Sequence, residues 1–251
     1  MKKFSPIIFV FTVIIPFMFT SNIALAKDIK GNGNLITQSI PISSFSKIEI
    51  ETTVTVDYSQ AKNPGKLEFT VDKNLWDYYD ISTKGNVLRI QLKREFRNIS
   101  LSPTKSLLTV SSENLEKIEI AGSSRINFCT DYTSKKLEIE VAGSGKVVSD
   151  EHSVQIGDCI VEIAGSGKVF FIGTIQNAKI DIAGSGRVEA AKCKISQLNV
   201  DIAGSGSVEA HVIDKLDVDI AGSGKVIFSG DPHPIRTDIA GSGKVKKVNS
   251  F

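Results

Sequence analysis

One short phrase, acidic-Ile-Ala-Gly-Ser-Gly-basic-Val, recurs in seven near-copies from the middle of this chain almost to its last residue. The copies begin at Ala121, Ala142, Ala164, Ala183, Ala203, Ala221 and Ala240, at offsets of 21, 22, 19, 20, 18 and 19 residues. A unit this short cannot bury an apolar face alone and must stack on its own copies to make a core. Within each unit the apolar residues alternate, as in Leu137, Ile139 and Val141 or Leu198, Val200 and Ile202. Period two puts one side of a strand inward and the other outward. A Gly-Ser-Gly at every turn would break any helix long enough to fill the unit.

These features predict an all-β fold: a single-stranded right-handed parallel β-helix, a solenoid with about 20 residues per coil. Stacked coils approach to about 4.8 Å, so a corner repeated at that spacing favours residues that tolerate positive φ and close backbone contact. Five residues after each alanine stands a β-branched residue, Ile126, Val147, Val169, Val188, Val208, Val226 or Val245, which suits a stacked pleated surface.

The period extends backwards more faintly. Ile48/Ile50, Leu67/Phe69, Leu88/Ile90 and Leu108/Val110 are apolar pairs at offsets of 19, 21 and 20 residues. Residues 27–117 are therefore read as divergent coils and cap, and residues 118–251 as the regular coils of the same body. Residues 1–26 are read as a secretory signal: Lys2 and Lys3, an apolar run from Ile7 to Phe19, then Ala24-Leu25-Ala26 as the exit. That run holds 13 residues and Pro16, too short for the roughly 20 residues that cross a bilayer. No other apolar stretch exists, so no transmembrane segment is expected in the mature chain. The expected location is the periplasm, the cell surface or the medium.

Losing two lysines and no acid takes the formal charge from +2 to 0, which leaves no electrostatic footprint for nucleic acid. Cys129, Cys159 and Cys193 are an odd set, read as unpaired and mostly buried thiols.

Each phrase also carries charge. Two residues before the alanines stand Glu119, Glu140, Glu162, Asp181, Asp201, Asp219 and Asp238. Four residues after them stand Arg125, Lys146, Lys168, Arg187, Lys225 and Lys244, with Ser207 as the exception. Stacking turns each set into a column of like charge, at about 1 kcal/mol of repulsion per step even in water-like surroundings. The basic column across the glycine corner is the expected compensation.

Calcium-binding β-rolls carry aspartate inside a Gly-Gly-x-Gly-x-Asp turn, and here the turn holds only serine, so no calcium or other metal site is expected. Paired carboxylates cleave glycosidic bonds on some scaffolds, but Asp181, Asp201 and Asp219 recur with every unit, as scaffold residues do. His152, His211 and His233 stand in no paired context. Ala-Gly-Ser-Gly resembles a nucleophile elbow in letters only, since seven copies cannot all be nucleophiles. No cofactor motif is present, and the chain is read as non-enzymatic.

Two features suggest binding. Trp76, Tyr78 and Tyr79 interrupt the strand pattern and form a candidate ligand surface for sugar rings, with capping of the solenoid end as the competing role. Phe170-Phe171 and Ile227-Phe228 place two apolar residues where alternation admits one inward. One of each pair then faces solvent, unless a bulge buries both.

Gly31-Asn32-Gly33, Phe45-Ser46-Lys47-Ile48, Lys73-Asn74-Leu75 and Gly85-Asn86-Val87-Leu88-Arg89-Ile90 precede the Ala-Gly-Ser-Gly units in that order. This arrangement resembles the head GIN-domain family of exported, adhesin-like bacterial proteins. The resemblance covers nearly all of the mature chain and implies a right-handed parallel β-helix with no assigned activity. An autotransporter carries a membrane barrel, and none is expected after Val245, so "adhesin" is a label by analogy. The expected role is a binding, adhesin-like or structural element of the cell envelope, its partner a cell-surface protein or a polysaccharide. The alternative is a polysaccharide-binding, less readily a polysaccharide-cleaving, protein.

Overall fold

The structure, a computed structural model, describes residues 28–61 and 65–251; the signal read over residues 1–26 lies outside them. The chain winds into a β-solenoid of about seven turns with about 20 residues per turn. From strand Lys117–Gly122 onward every coil pairs in parallel with the one before it. Register is fixed by the repeat: Ala121, Ala142, Ala164, Ala183, Ala203, Ala221 and Ala240 form one unbroken column. The inward residues of successive coils, such as Val161, Ile180, Val200 and Val218, stack into a continuous core. The unequal repeat lengths are absorbed away from the glycine corner, where register shifts fall between Ser149 and Val154 and between Ala190 and Lys194.

The two glycines of each corner are required for different reasons. The first sits at φ between 116° and 127° in all seven copies. A Cβ on Gly184 would lie 2.7 Å from the carbonyl oxygen of Gly165, one coil earlier. The second meets a side chain instead: a Cβ on Gly186 would lie 2.6 Å from Cγ2 of Ile163. Between them, the serine backbone N–H donates to the first glycine of the preceding coil, as Ser185 does to Gly165 at 2.8 Å. In the first copy Ser124 replaces the second glycine. Its hydroxyl donates to the carbonyl of Thr52 and accepts from the Val54 N–H, so serine here seals the joint to a different neighbour.

That neighbour departs from the sequence reading. The apolar pairs of residues 48–110 are not consecutive coils. Strand Lys47–Ile50 lies between Lys117–Gly122 and Val87–Leu92, and Thr55–Gln60 lies between Arg125–Phe128 and Ser106–Ser112, all parallel. Ile48 therefore stacks on Ile118, and Leu88 on Ile48. Leu67 and Phe69 belong to Lys66–Asp72, which runs antiparallel to Leu35–Pro41 and to Ser106–Ser112. Antiparallel strands share the period of two, so alternation alone does not reveal direction. The overlooked signal was Gly85-Asn86, with φ of 56° and 65°, closing a two-residue hairpin between Tyr79–Lys84 and Val87–Leu92.

The antiparallel cap is tied down by Asp72, which is fully buried. The Gly33 N–H donates to its Oδ1 and the Thr104 N–H to its Oδ2, each at 2.7 Å. Burial alone would raise this carboxyl's pKa, but the backbone donors win and hold it below the usual value.

Candidate functional site

The carboxylate ladder forms as the repeat demands, and it is longer than the repeat. Glu49 joins Glu119, Glu140, Glu162, Asp181, Asp201, Asp219 and Asp238 in one column, with Arg89 beyond Glu49 at its end. Its compensation is not the basic column across the corner. Among the described residues that column makes one ion pair, Arg187 to Glu189 at 3.6 Å, and the corner carries it away from the acids. The working partners stand two residues before the acids on the same strand, where side chains share a face. Lys47 Nζ lies 2.8 Å from Glu49 and 2.7 Å from Glu119, and Lys117 Nζ lies 2.7 Å from Glu138 and 2.5 Å from Glu140.

Lys117 therefore holds Glu138 down to about 2. Beyond Lys179, which pairs with Asp181 at 2.6 Å, Asp201, Asp219 and Asp238 have no ion pair among the described residues. Burial, then Asp181, then Asp219 push Asp201 up to about 6. The ladder is thus salted at one end and bare at the other.

A second feature lies on another flank, where the coils turn back toward the acid-bearing strands. An open groove of about 810 Å³ crosses successive coils there. Its lining includes Thr133, Gln155, Thr174, Lys194, Gly157 and Ile213. Thr133, Gln155, Thr174 and Lys194 are register neighbours, one per coil. Gly157 is small for a reason of packing, since a Cβ there would lie 2.5 Å from the Lys135 carbonyl oxygen. The sequence reading missed this groove. Its available signal was Gly157, a glycine outside the Ala-Gly-Ser-Gly corner.

The aromatic surface does not form as expected. Trp76 and Tyr78 lie on a single 3-10 turn, Trp76–Tyr78, and are half-buried. Tyr79 is 7% exposed, its ring 4.9 Å from that of Phe69 and nearly perpendicular to it, so it cannot stack on a sugar. Trp76 packs on Phe69 at 5.7 Å and Tyr78 on Phe96 at 4.6 Å, each ring facing the cap interior. Phe171 and Phe228 are buried while Phe170 and Ile227 are only half-buried, which follows strict alternation; a register shift against the next coil falls between Phe170 and Ile172, but it does not bury both phenylalanines. In their outward column Glu189 and Glu209 separate Phe170 from Ile227, so no apolar stripe results.

The cysteines divide. Cys159 and Cys193 are buried and their thiols are pushed up to about 12 by that burial, whereas Cys129 is exposed. His211 Nδ1 lies 2.8 Å from Ser229 Oγ, while His152 and His233 lie 3.9 and 3.5 Å from single aspartates. Among the described residues no helix is long and apolar enough to cross a membrane.

Comparison with known proteins fits this architecture. Residues 44–232 match the family described as "Putative auto-transporter adhesin, head GIN domain". A crystal structure from Parabacteroides distasonis, titled a putative lipid binding protein, is 30% identical, with a TM-score of 0.74 over 89% of this chain and 100% of its own. A putative adhesin from Bacteroides fragilis is 22% identical, with a TM-score of 0.75 over 88% of this chain and all of its own. Another, from Parabacteroides merdae, is 23% identical, with a TM-score of 0.69 over 89% and 100%. The last two likenesses speak to fold alone. No curated protein matches the chain.

Proposed function

The chain belongs to the head GIN-domain family, and from that premise we propose that it is an exported, non-enzymatic binding element of the cell envelope that engages an extended partner along its flank. The groove carries this reading. It is open, it runs across stacked coils rather than into the body, and hydroxyl, amide and ammonium groups line it. Such a surface suits a polymer better than a small molecule, which concave and largely apolar pockets enclose. The signal-like residues 1–26 and the adhesin-like family support export.

The test has two parts. Fractionated cells should hold the chain outside the cytoplasm with its N-terminus at Lys27; an uncleaved cytoplasmic chain overturns export. The purified mature protein should bind isolated envelope material, and Thr174→Trp, which fills the groove from an exposed position, should abolish that binding. Undiminished binding by this variant overturns the groove as the contact surface. Incubation with a polysaccharide panel should release no reducing sugar.

A further inference from the structure

We propose that the groove receives an acidic polysaccharide, a glycan bearing carboxylate or sulfate groups; this rests on the reading of the flank as a binding surface. Three lysines line the groove, Lys135, Lys136 and Lys194, against one acid, Glu116. Lys136 is committed, its Nζ lying 3.1 Å from Glu138. Lys135 and Lys194 are exposed and have no ion pair among the described residues. Lys146, Lys168, Lys225 and Lys244 of the corner column have no ion pair among the described residues either, but none of them lines this groove. Two uncommitted ammonium groups on one hollow are therefore an excess that a bound anion would balance.

The neutral lining specifies the rest of the ligand. Gln155 and Thr174 are exposed on adjacent coils between Thr133 and Lys194, so hydroxyls and amides recur at strand spacing, about 4.8 Å, and Ser196 adds a hydroxyl on the coil of Lys194. Hydroxyls and amides both donate and accept, which matches the hydroxyls of a sugar chain repeating along the same axis. Ile213, 43% exposed at the groove's end, offers an aliphatic surface to the C–H face of a ring. Ile213 is the one large apolar side chain of the lining that is strongly exposed, too little to enclose an acyl chain. A nucleic acid would require more cations than two.

The decisive experiment measures binding of the mature protein to four probes: polygalacturonate, dextran sulfate, neutral dextran and single-stranded DNA. The variants are Lys135→Ala/Lys194→Ala and Thr174→Trp. Binding to one or both acidic glycans is expected, with no binding to neutral dextran. The double variant should weaken it about fivefold, as two exposed charges allow, and Thr174→Trp should abolish it. Added salt should weaken the wild-type protein more than the double variant. The lysines are exposed, so unchanged melting temperatures will show that the variants fold. Preference between polygalacturonate and dextran sulfate distinguishes carboxylate from sulfate recognition within the proposal. Equal affinity for neutral dextran, unchanged affinity in the double variant, or a preference for DNA overturns the acidic-glycan assignment. Binding to envelope material that Thr174→Trp abolishes, with no binding to any glycan, overturns this assignment and leaves the flank reading standing. Loss of both sinks both.

Discussion

Asp201 pairs in register with Asp181, and the Oδ1 atom of Asp181 is buried without a hydrogen-bond partner. The two facts are one. Neighbouring carboxylates offer only acceptors to each other, so neither can satisfy the other while both are ionised. A proton on Asp201 supplies the missing donor and removes the repulsion at once. Asp219 on the far side adds a second like charge, and the Lys179 amine, bound to Asp181, is the nearest counterweight.

Thermal stability should therefore fall as pH rises from about 4 to about 7. The folded-state pKa of Asp201, about 6, lies above its unfolded value of 3.8, so the folded protein binds the extra proton in that window. This contribution is fully present below the unfolded value and is lost as pH passes the folded one. Glu138 works oppositely: held at about 2, it loses its contribution as pH falls from its ordinary 4.5 toward 2. Melting curves should peak in mildly acid solution. Asp201→Asn, whose amide donates to Asp181, should raise the melting temperature at pH 7 by roughly 2–4 °C, the equivalent of about 1 kcal/mol, and flatten the upper limb. A melting temperature that climbs steadily to pH 7 in the wild-type protein would sink the idea.

The two corner glycines should differ in sensitivity from the serine between them. Gly184→Ala combines a φ of 120° with a backbone clash at 2.7 Å, a cost of about 4 kcal/mol. Gly186→Ala has only the Ile163 methyl to displace, at about 1–3 kcal/mol. Ser185→Ala keeps the backbone hydrogen bond to Gly165 and loses only an exposed hydroxyl, so it should stay within about 0.5 kcal/mol. Denaturant melts of the three variants test the order; a costly Ser185→Ala would contradict it.

The regular coils were legible because one set of residues answers one repeated constraint. Ala183, Gly184 and Gly186 each meet the same atoms one coil below, so the pattern in letters is the pattern in contacts. The cap was less legible because its strands answer different neighbours. Leu67 and Leu88 look alike in sequence, yet Leu67 stands opposite Ile40 of an antiparallel strand, whereas Leu88 has Ile48 in parallel on one side and Thr83 antiparallel on the other. The charge columns were visible, but their pairing was not: it depends on which face the chain presents after the corner. Trp76, Tyr78 and Tyr79 were conspicuous by size, and size is also what seals an end. The groove was hidden because a hollow is made by what is small, and only Gly157 among the polar lining marks it.

Asp72 should govern the cap and leave the coils alone. Asp72→Ala removes the buried acceptor of the Gly33 and Thr104 N–H groups; both residues are exposed, so water replaces part of what is lost and the pair costs about 1–2 kcal/mol. Amide hydrogen exchange should accelerate at Gly33 and Thr104, while Ile163 and Ile182 keep their protection in the stack. Asp72→Asn retains one acceptor oxygen and should recover part of the loss. Uniform acceleration along the chain would instead make the cap and coils one cooperative unit.

The three cysteines should report the core directly through their reactivity. Only a thiolate attacks an aromatic disulfide reagent, and reaction also requires access. Cys159 and Cys193 lack both, being buried with thiols pushed up to about 12. Cys129 is reachable, though burial of part of its surface and the charges of Asp57 and Glu151 raise its pKa above the ordinary thiol value. Native protein should thus release one equivalent of thiolate dye, slowly at neutral pH and faster as pH rises, and Cys129→Ser should abolish it. All three should react in denaturant. A second fast equivalent from the native chain would mean that the coils around Cys159 or Cys193 open far more readily than their continuous core allows.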